Sequence, residues 1–150
     1  MIDEMKIRLG IDAQKQIEKW VNQKSKRQGY TALHYSAFNG NLDILEKLIK
    51  YKADVEISNN RGLNVLHMAA QGNSPNILIY FKEKFNMNIQ SVDEICSTPL
   101  HWACYSGSES ALNFLLSWDI NLNYKDKEGI TPLHLAVMSG NYFVFKQLKY

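Results

Sequence analysis

The sequence predicts an all-α solenoid built by repetition rather than around one globular core. Three observations carry this. The four histidines of the 150-residue chain, His34, His67, His101 and His134, recur at spacings of 33, 34 and 33 residues. Each closes a cassette of one design: Thr31-Ala32-Leu33-His34, Asn64-Val65-Leu66-His67, Thr98-Pro99-Leu100-His101 and Thr131-Pro132-Leu133-His134. Small residues follow every time (Ser36-Ala37, Ala69-Ala70, Ala103-Cys104, Ala136-Val137), and glycine comes soon after at Gly40, Gly107 and Gly140. A fixed period near 33 marks stacked units, each burying its apolar face only against its neighbours.

Taken in order, the chain opens with Ile2, Met5 and Leu9 at helical spacing. Gly10 is expected to interrupt, and Asp12 to cap a second helix with Ala13, Ile17, Trp20 and Val21 on one face. Trp20 reads as the core anchor of this amino-terminal cap. Lys15, Glu18 and Lys19 supply the polar face that an end unit needs.

Each cassette then starts a short helix. The Thr31 hydroxyl suits the N-cap, worth about 1 kcal/mol, and Asn64 serves the same purpose. Pro99 and Pro132 fall at the first helical position, where a missing N–H costs nothing. Gly40 and its equivalents end that helix by accepting the left-handed conformation. A second helix follows with Leu42, Ile44, Leu45, Leu48 and Ile49 as its apolar stripe. In the later units the stripe is Ile77, Leu78 and Phe81, then Ala111, Leu112, Leu115 and Leu116, then Val144, Phe145 and Leu148.

Two places break the pattern. Gly72-Asn73 inverts the usual order, Pro75 stands at the start of a helix, and one extra residue near Lys84-Phe85 is needed before Ile89 matches Val55. A lengthened helix or loop is expected there. Cys96 stands where the other turns have Gly29, Gly62 and Gly129, which predicts an altered or strained turn.

The T-P-L-H-x-A cassette at this period resembles the ankyrin-repeat family, from about Gln23 to the end of the chain. The resemblance implies helix-turn-helix repeats joined by β-hairpin-like fingers. It implies a helical cap at 1–25 and repeats at about 26–59, 60–92, 93–125 and 126–150, the last incomplete. An unfinished repeat without a cap leads to the expectation of an amino-terminal fragment of a longer protein. In the family the cassette histidine bonds within the loop-to-helix junction. Partners lie along a concave groove formed by fingertips and first helices. Carried over, the groove positions are Arg27, Gln28, Tyr30, Phe38 and Asn39; Asn60, Arg61, Leu63, Gln71 and Gly72; Glu94, Ile95, Ser97, Tyr105 and Ser106; and Lys127, Glu128, Ile130, Met138 and Ser139. Of these, Tyr30, Phe38, Leu63, Ile95, Tyr105, Ile130 and Met138 form an apolar, aromatic-rich line. Trp102, which follows the third histidine, borders groove and interior; it reads first as a core residue, with the centre of a peptide site, shared with Tyr105, as the alternative.

The remaining chemistry points away from catalysis. Histidines one repeat apart sit about 8–10 Å from one another, too far to share a zinc at about 2 Å, so no metal or other cofactor is expected. Cys104 occupies a small-residue position and reads as a buried hydrophobe, and Cys96 carries a redox alternative. The two cysteines form neither a zinc motif nor a disulfide framework, which predicts a reduced, cytoplasmic setting. A net charge of +2 with interspersed signs argues against nucleic acid. The apolar run Ile77–Phe81 is far short of the roughly 20 residues that span a bilayer, and the first residues lack a signal-peptide centre. Lys24-Ser25-Lys26-Arg27 reads first as solvated surface, with an acidic partner or headgroup as the alternative. The expected function is binding of a protein or extended peptide by a monomeric module.

A narrower resemblance lies in Asn64–Gly72, Tyr80–Lys84 and Ser97–Gly107. These are similar to ankyrin arrays that precede the membrane domain of Asp-His-His-Cys-type protein S-palmitoyltransferases, those of ciliates in particular. That would make the chain a substrate-recruiting domain, since the catalytic segment itself is absent from it. The cytosolic domain of an ankyrin-bearing ion channel is the third reading.

Overall fold

The computed structural model describes the backbone of residues 2–148 and the side chains of residues 10–148. The described residues form nine helices and no strand: α1 (Ile2–Val21), α2 (Ala32–Phe38), α3 (Leu42–Lys50), α4 (Val65–Gln71), α5 (Pro75–Phe85), α6 (Pro99–Ser106), α7 (Glu109–Leu116), α8 (Pro132–Met138) and α9 (Tyr142–Leu148). Four antiparallel pairs follow α1. In each pair the first helix packs on its own second helix, and the first helices stack in series, α2 on α4 on α6 on α8. The interior is a continuous seam along that series. Its largest fully buried side chains include Leu33, Leu66, Leu78, Phe81, Leu100 and Leu112.

The histidines explain why the units stack in register. In each cassette the imidazole Nδ1 accepts the backbone N–H of the N-cap residue, for example from Asn64 to His67 at 3.2 Å. The Nε2–H then donates across to the next unit: His34 to the Leu63 carbonyl at 3.0 Å, His67 to Ser97 at 3.1 Å and His101 to Ile130 at 3.2 Å. One side chain thus closes its own helix start and ties it to the next finger. This extends the family expectation of a bond within the junction alone.

The fingers are tight turns rather than strand hairpins. The last three each begin with a residue whose side-chain oxygen collects two backbone amides two and four positions on, whereas Ser25 in the first takes the Tyr30 amide alone. Asn59 takes Arg61 and Leu63, Asp93 takes Ile95 and Ser97, and Asp126 takes Glu128 and Ile130, all at 2.8–3.0 Å. Neighbouring fingers are joined by single backbone bonds, Asn60 to Gln28, Glu94 to Arg61 and Lys127 to Ile95. Cys96 keeps this geometry, with φ of +63° beside +72°, +74° and +79° at Gly29, Gly62 and Gly129. The turn is therefore not altered. A β-carbon is carried in the left-handed region, at a cost of about 1–2 kcal/mol.

Two sequence expectations fail at the cap. Gly10 does not interrupt: α1 is one 20-residue helix, and Asp12 lies inside it rather than at an N-cap. A helical glycine costs only about 1 kcal/mol, less than a helix of that length can absorb. Trp20 is 72% exposed and is not a core anchor; Val21 is buried and Ile17 half-buried in its place. The side chains of Ile2, Met5 and Leu9, and residues Met1, Lys149 and Tyr150, lie outside the described residues.

The irregular second pair has a physical account. Asn73 takes the left-handed position, φ +55°, that Gly40, Gly107 and Gly140 hold elsewhere. Gly72 is needed for a different reason: a β-carbon there would run into the Phe38 carbonyl oxygen at the end of α2. Pro75 stands in the first turn of α5, which is 11 residues long against 9 in α3 and 8 in α7, and Asn86 ends it at φ +49°. The extra residue lengthens the helix. In α3, Ile44 leaves the expected stripe and is 50% exposed, whereas its counterpart Ile77 is fully buried.

Candidate functional site: the concave cleft around Trp102

The first helices and fingers enclose a cleft of about 410 Å³, within the usual range for ligand pockets. Its wall is built from the third unit. Trp102 follows His101 on α6, so the capping that fixes the histidine also fixes the start of the indole's helix. The indole Nε1–H donates to Asp93 Oδ2 at 3.0 Å, while Asp93 Oδ1 is occupied by its own finger. A half-buried ring is thereby pinned by a buried carboxylate. Tyr105, one turn on, meets it edge to face at 6.0 Å between centroids. From the second finger the Arg61 guanidinium lies over the ring, 5.4 Å from its centroid. Gln71, Ile95, Ser97, His101, Asp126 and Leu135 complete the lining.

Charge in this wall is set by burial. Burial holds the His101 imidazole below its ordinary value, opposed by its bond to the Ile130 carbonyl and by the Asp126 and Asp93 charges. The ring is neutral near pH 7, an acceptor at Nδ1 and a donor at Nε2. Burial pushes the Cys104 thiol up to about 12, so Cys104 is an unreactive filler of the core. Among the described residues no group of three or more His, Cys, Asp or Glu side chains is placed to hold a metal ion.

The structure sorts the sequence-derived positions into three groups. Arg61, Gln71, Ile95, Trp102 and Tyr105 come together in the cleft. Phe38 (38% exposed), Asn39 and Met138 (72%) lie exposed on the neighbouring units, and Tyr30 and Ile130 are half-buried. Leu63 is a correction. It is only 1% exposed and belongs to the buried core, so its side chain offers no surface to a partner; its carbonyl accepts from His34 and its N–H donates to Asn59. Sequence reasoning missed Asp93, Asp126 and Leu135. For the acids the signal was present: Asn59, Asp93 and Asp126 repeat at spacings of 34 and 33, the histidine period.

A family model described as "Ankyrin repeats (3 copies)" matches residues 10–93, 56–126 and 83–150. The chain belongs to the ankyrin-repeat family. Among similar proteins, Palmitoyltransferase AKR1 of Lachancea kluyveri is 30% identical over 131 residues, covering 85% of this chain and 18% of the relative. Alpha-latrotoxin-Lg1a of Latrodectus geometricus is 33% identical over 117 residues, 75% of this ankyrin chain and 8% of the toxin. Transient receptor potential cation channel subfamily A member 1 of Homo sapiens is 30% identical over 124 residues, 78% of this chain and 11% of the channel. The chain thus spans less than a fifth of the length of these relatives. No described helix of the ankyrin array is long and apolar enough to cross a membrane.

Proposed function

We propose that this ankyrin array binds a protein partner, as an extended peptide segment, in the cleft centred on Trp102 and Tyr105. The observation that carries the reading is the pinned indole. A half-buried tryptophan locked by Asp93, with a 59% exposed tyrosine beside it, presents a rigid aromatic surface on the concave side. Such a surface orders little on binding, and aromatic side chains of this kind dominate interface energetics. Phe38 and Met138 are exposed at the position that Tyr105 holds in its own repeat, four residues after the histidine, and extend this surface to other units. The test is selection from a displayed library of random decapeptides, with the Trp102→Ala/Tyr105→Ala double variant as counter-target. Peptides should be retained by the parent array and lost by the variant. Equal retention by both would place binding elsewhere.

A second reading concerns the longer protein. The match to a palmitoyltransferase over 85% of this chain favours a role as the substrate-recruiting part of such an enzyme, with acyl transfer carried out by residues outside the chain. A cytosolic array of a cation channel is the alternative, from the match over 78% of the chain. A transcript spanning the whole gene separates them: an Asp-His-His-Cys segment between membrane spans supports the first, and a six-span pore the second.

A further inference from the structure

The charge and the stacking at one edge of the cleft speak to the partner. Arg61 is exposed at the cleft edge, held over Trp102 with its guanidinium 5.4 Å from the ring centroid. Among the described residues no carboxylate lies within ion-pair distance of it; the ion pair found there, Lys84–Glu46 at 4.0 Å, is outside the cleft. The adjoining finger adds to the same sign. Asn60 donates through its backbone N–H to the Gln28 carbonyl at 3.0 Å and through Nδ2 to the Arg27 carbonyl at 3.3 Å, which sets the exposed Lys26 and Arg27 beside Arg61 along the rim. The third and fourth fingers carry both signs: the exposed Glu94, whose N–H donates to the Arg61 carbonyl at 3.0 Å, and the exposed Lys127 and Glu128. Asp126 lines the cleft, one of its oxygens committed to the Glu128 and Ile130 amides. The rim is therefore cationic at the first two fingers, beside the aromatic centre, and mixed in sign at the third and fourth.

We propose that the cleft takes an acidic extended peptide, in which an Asp or Glu carboxylate pairs with Arg61 while an adjacent bulky apolar side chain covers Trp102 and Tyr105. A guanidinium offers two parallel N–H donors that match a carboxylate, and stacking on the indole pre-orients it. The inference rests on the groove reading given above and narrows it to one ligand chemistry.

The probe is the same random decapeptide library, followed by anisotropy measurements on the selected peptides with Arg61→Gln, Arg61→Lys and Tyr105→Ala arrays. Arg61 is exposed and outside the core, so these substitutions leave the fold intact. Selected peptides should be enriched in Asp and Glu over the input. They should bind Arg61→Gln roughly tenfold more weakly. Arg61→Lys should fall between the two, and binding should weaken as salt is raised. Neutral or basic peptides that depend on Tyr105 but not on Arg61 would overturn the acidic assignment and leave the groove reading standing. Peptides indifferent to both substitutions, or an empty selection, would overturn the two together. Mixed phosphatidylcholine–phosphatidylserine vesicles serve as the competing anionic surface; binding to them without selection of acidic peptides would also overturn the inference.

Discussion

Asp93 and Trp102 hold each other: the indole N–H donates to Asp93 Oδ2 at 3.0 Å, while Asp93 Oδ1 receives the Ile95 and Ser97 amides of its own finger. One buried carboxylate thus couples a finger to the first helix that carries the groove's main aromatic. The second unit shows the contrast. Asn59 has the same two amide contacts, but Met68 stands at the tryptophan's place and the Asn59 Nδ2 atom is buried without a partner.

Asp93→Asn should therefore cost stability although it keeps size and finger contacts. An amide N–H₂ facing the indole N–H leaves two buried donors unpaired, a loss of about 1–3 kcal/mol. Urea denaturation measures the loss. A change in indole fluorescence at unchanged helicity would accompany it, because the ring is released while the helices remain.

Cys96→Gly should stabilise the array. Relief of the +63° backbone is worth about 1–2 kcal/mol, offset in part by the roughly 0.4–1 kcal/mol that glycine adds to unfolded-chain entropy. A net gain of about 0.5–1 kcal/mol is expected in the denaturation midpoint. Gly72→Ala should do the opposite by more than about 2 kcal/mol, since its β-carbon meets the Phe38 backbone oxygen, which cannot step aside.

In the cap, Trp20→Ala should change stability by no more than about 0.5 kcal/mol, because the ring is exposed. Val21→Ala, one residue on and 3% exposed, should cost about 2 kcal/mol. Thermal melts of the pair decide between the two faces of α1.

The array should lose stability in mild acid. Burial lowers the His67 imidazole to about 4, against the raising effects of Asp93 and the Ser97 carbonyl. His34 and His101 are lowered from the same cause. An unfolded histidine, near 6.5, takes up a proton that the folded one refuses. The stabilisation is therefore full above about 6.5 and is lost as pH falls toward about 4. From His67 alone, moving from pH 7 to pH 5 should cost on the order of 2 kcal/mol. Urea titrations at the two pH values check this, and a stability independent of pH over that window would contradict the buried neutral ring.

The repeat was legible in the sequence because the cassette encodes local events: an N-cap, a proline at the first helical position and a left-handed stop, each using only near neighbours. Asn73 and Pro75 stayed readable for the same reason. What escaped depends on which neighbours a position meets. Leu63 stands in the same place as the half-buried Tyr30 and Ile130, yet it is sealed because units press on it from both sides. Trp20 has helical spacing compatible with the apolar face, but the rotation of α1 turns Val21 inward instead. The Asp93–Trp102 bond joins residues of separate elements, and nothing in the local sequence of either one announces it.

Ligand binding at the Trp102 wall can be read from the three indole N–H signals. Trp102 lines the concave cleft, Trp118 packs against Phe114 of α7 with Lys82 over its ring, and Trp20 projects from α1. A two-dimensional ¹H–¹⁵N spectrum, recorded while a library-selected peptide is added, should move the Trp102 indole signal and leave those of Trp20 and Trp118 in place. A shift confined to Trp118 or Trp20, with Trp102 unmoved, would put the binding surface on the outer helices or the cap and contradict the account.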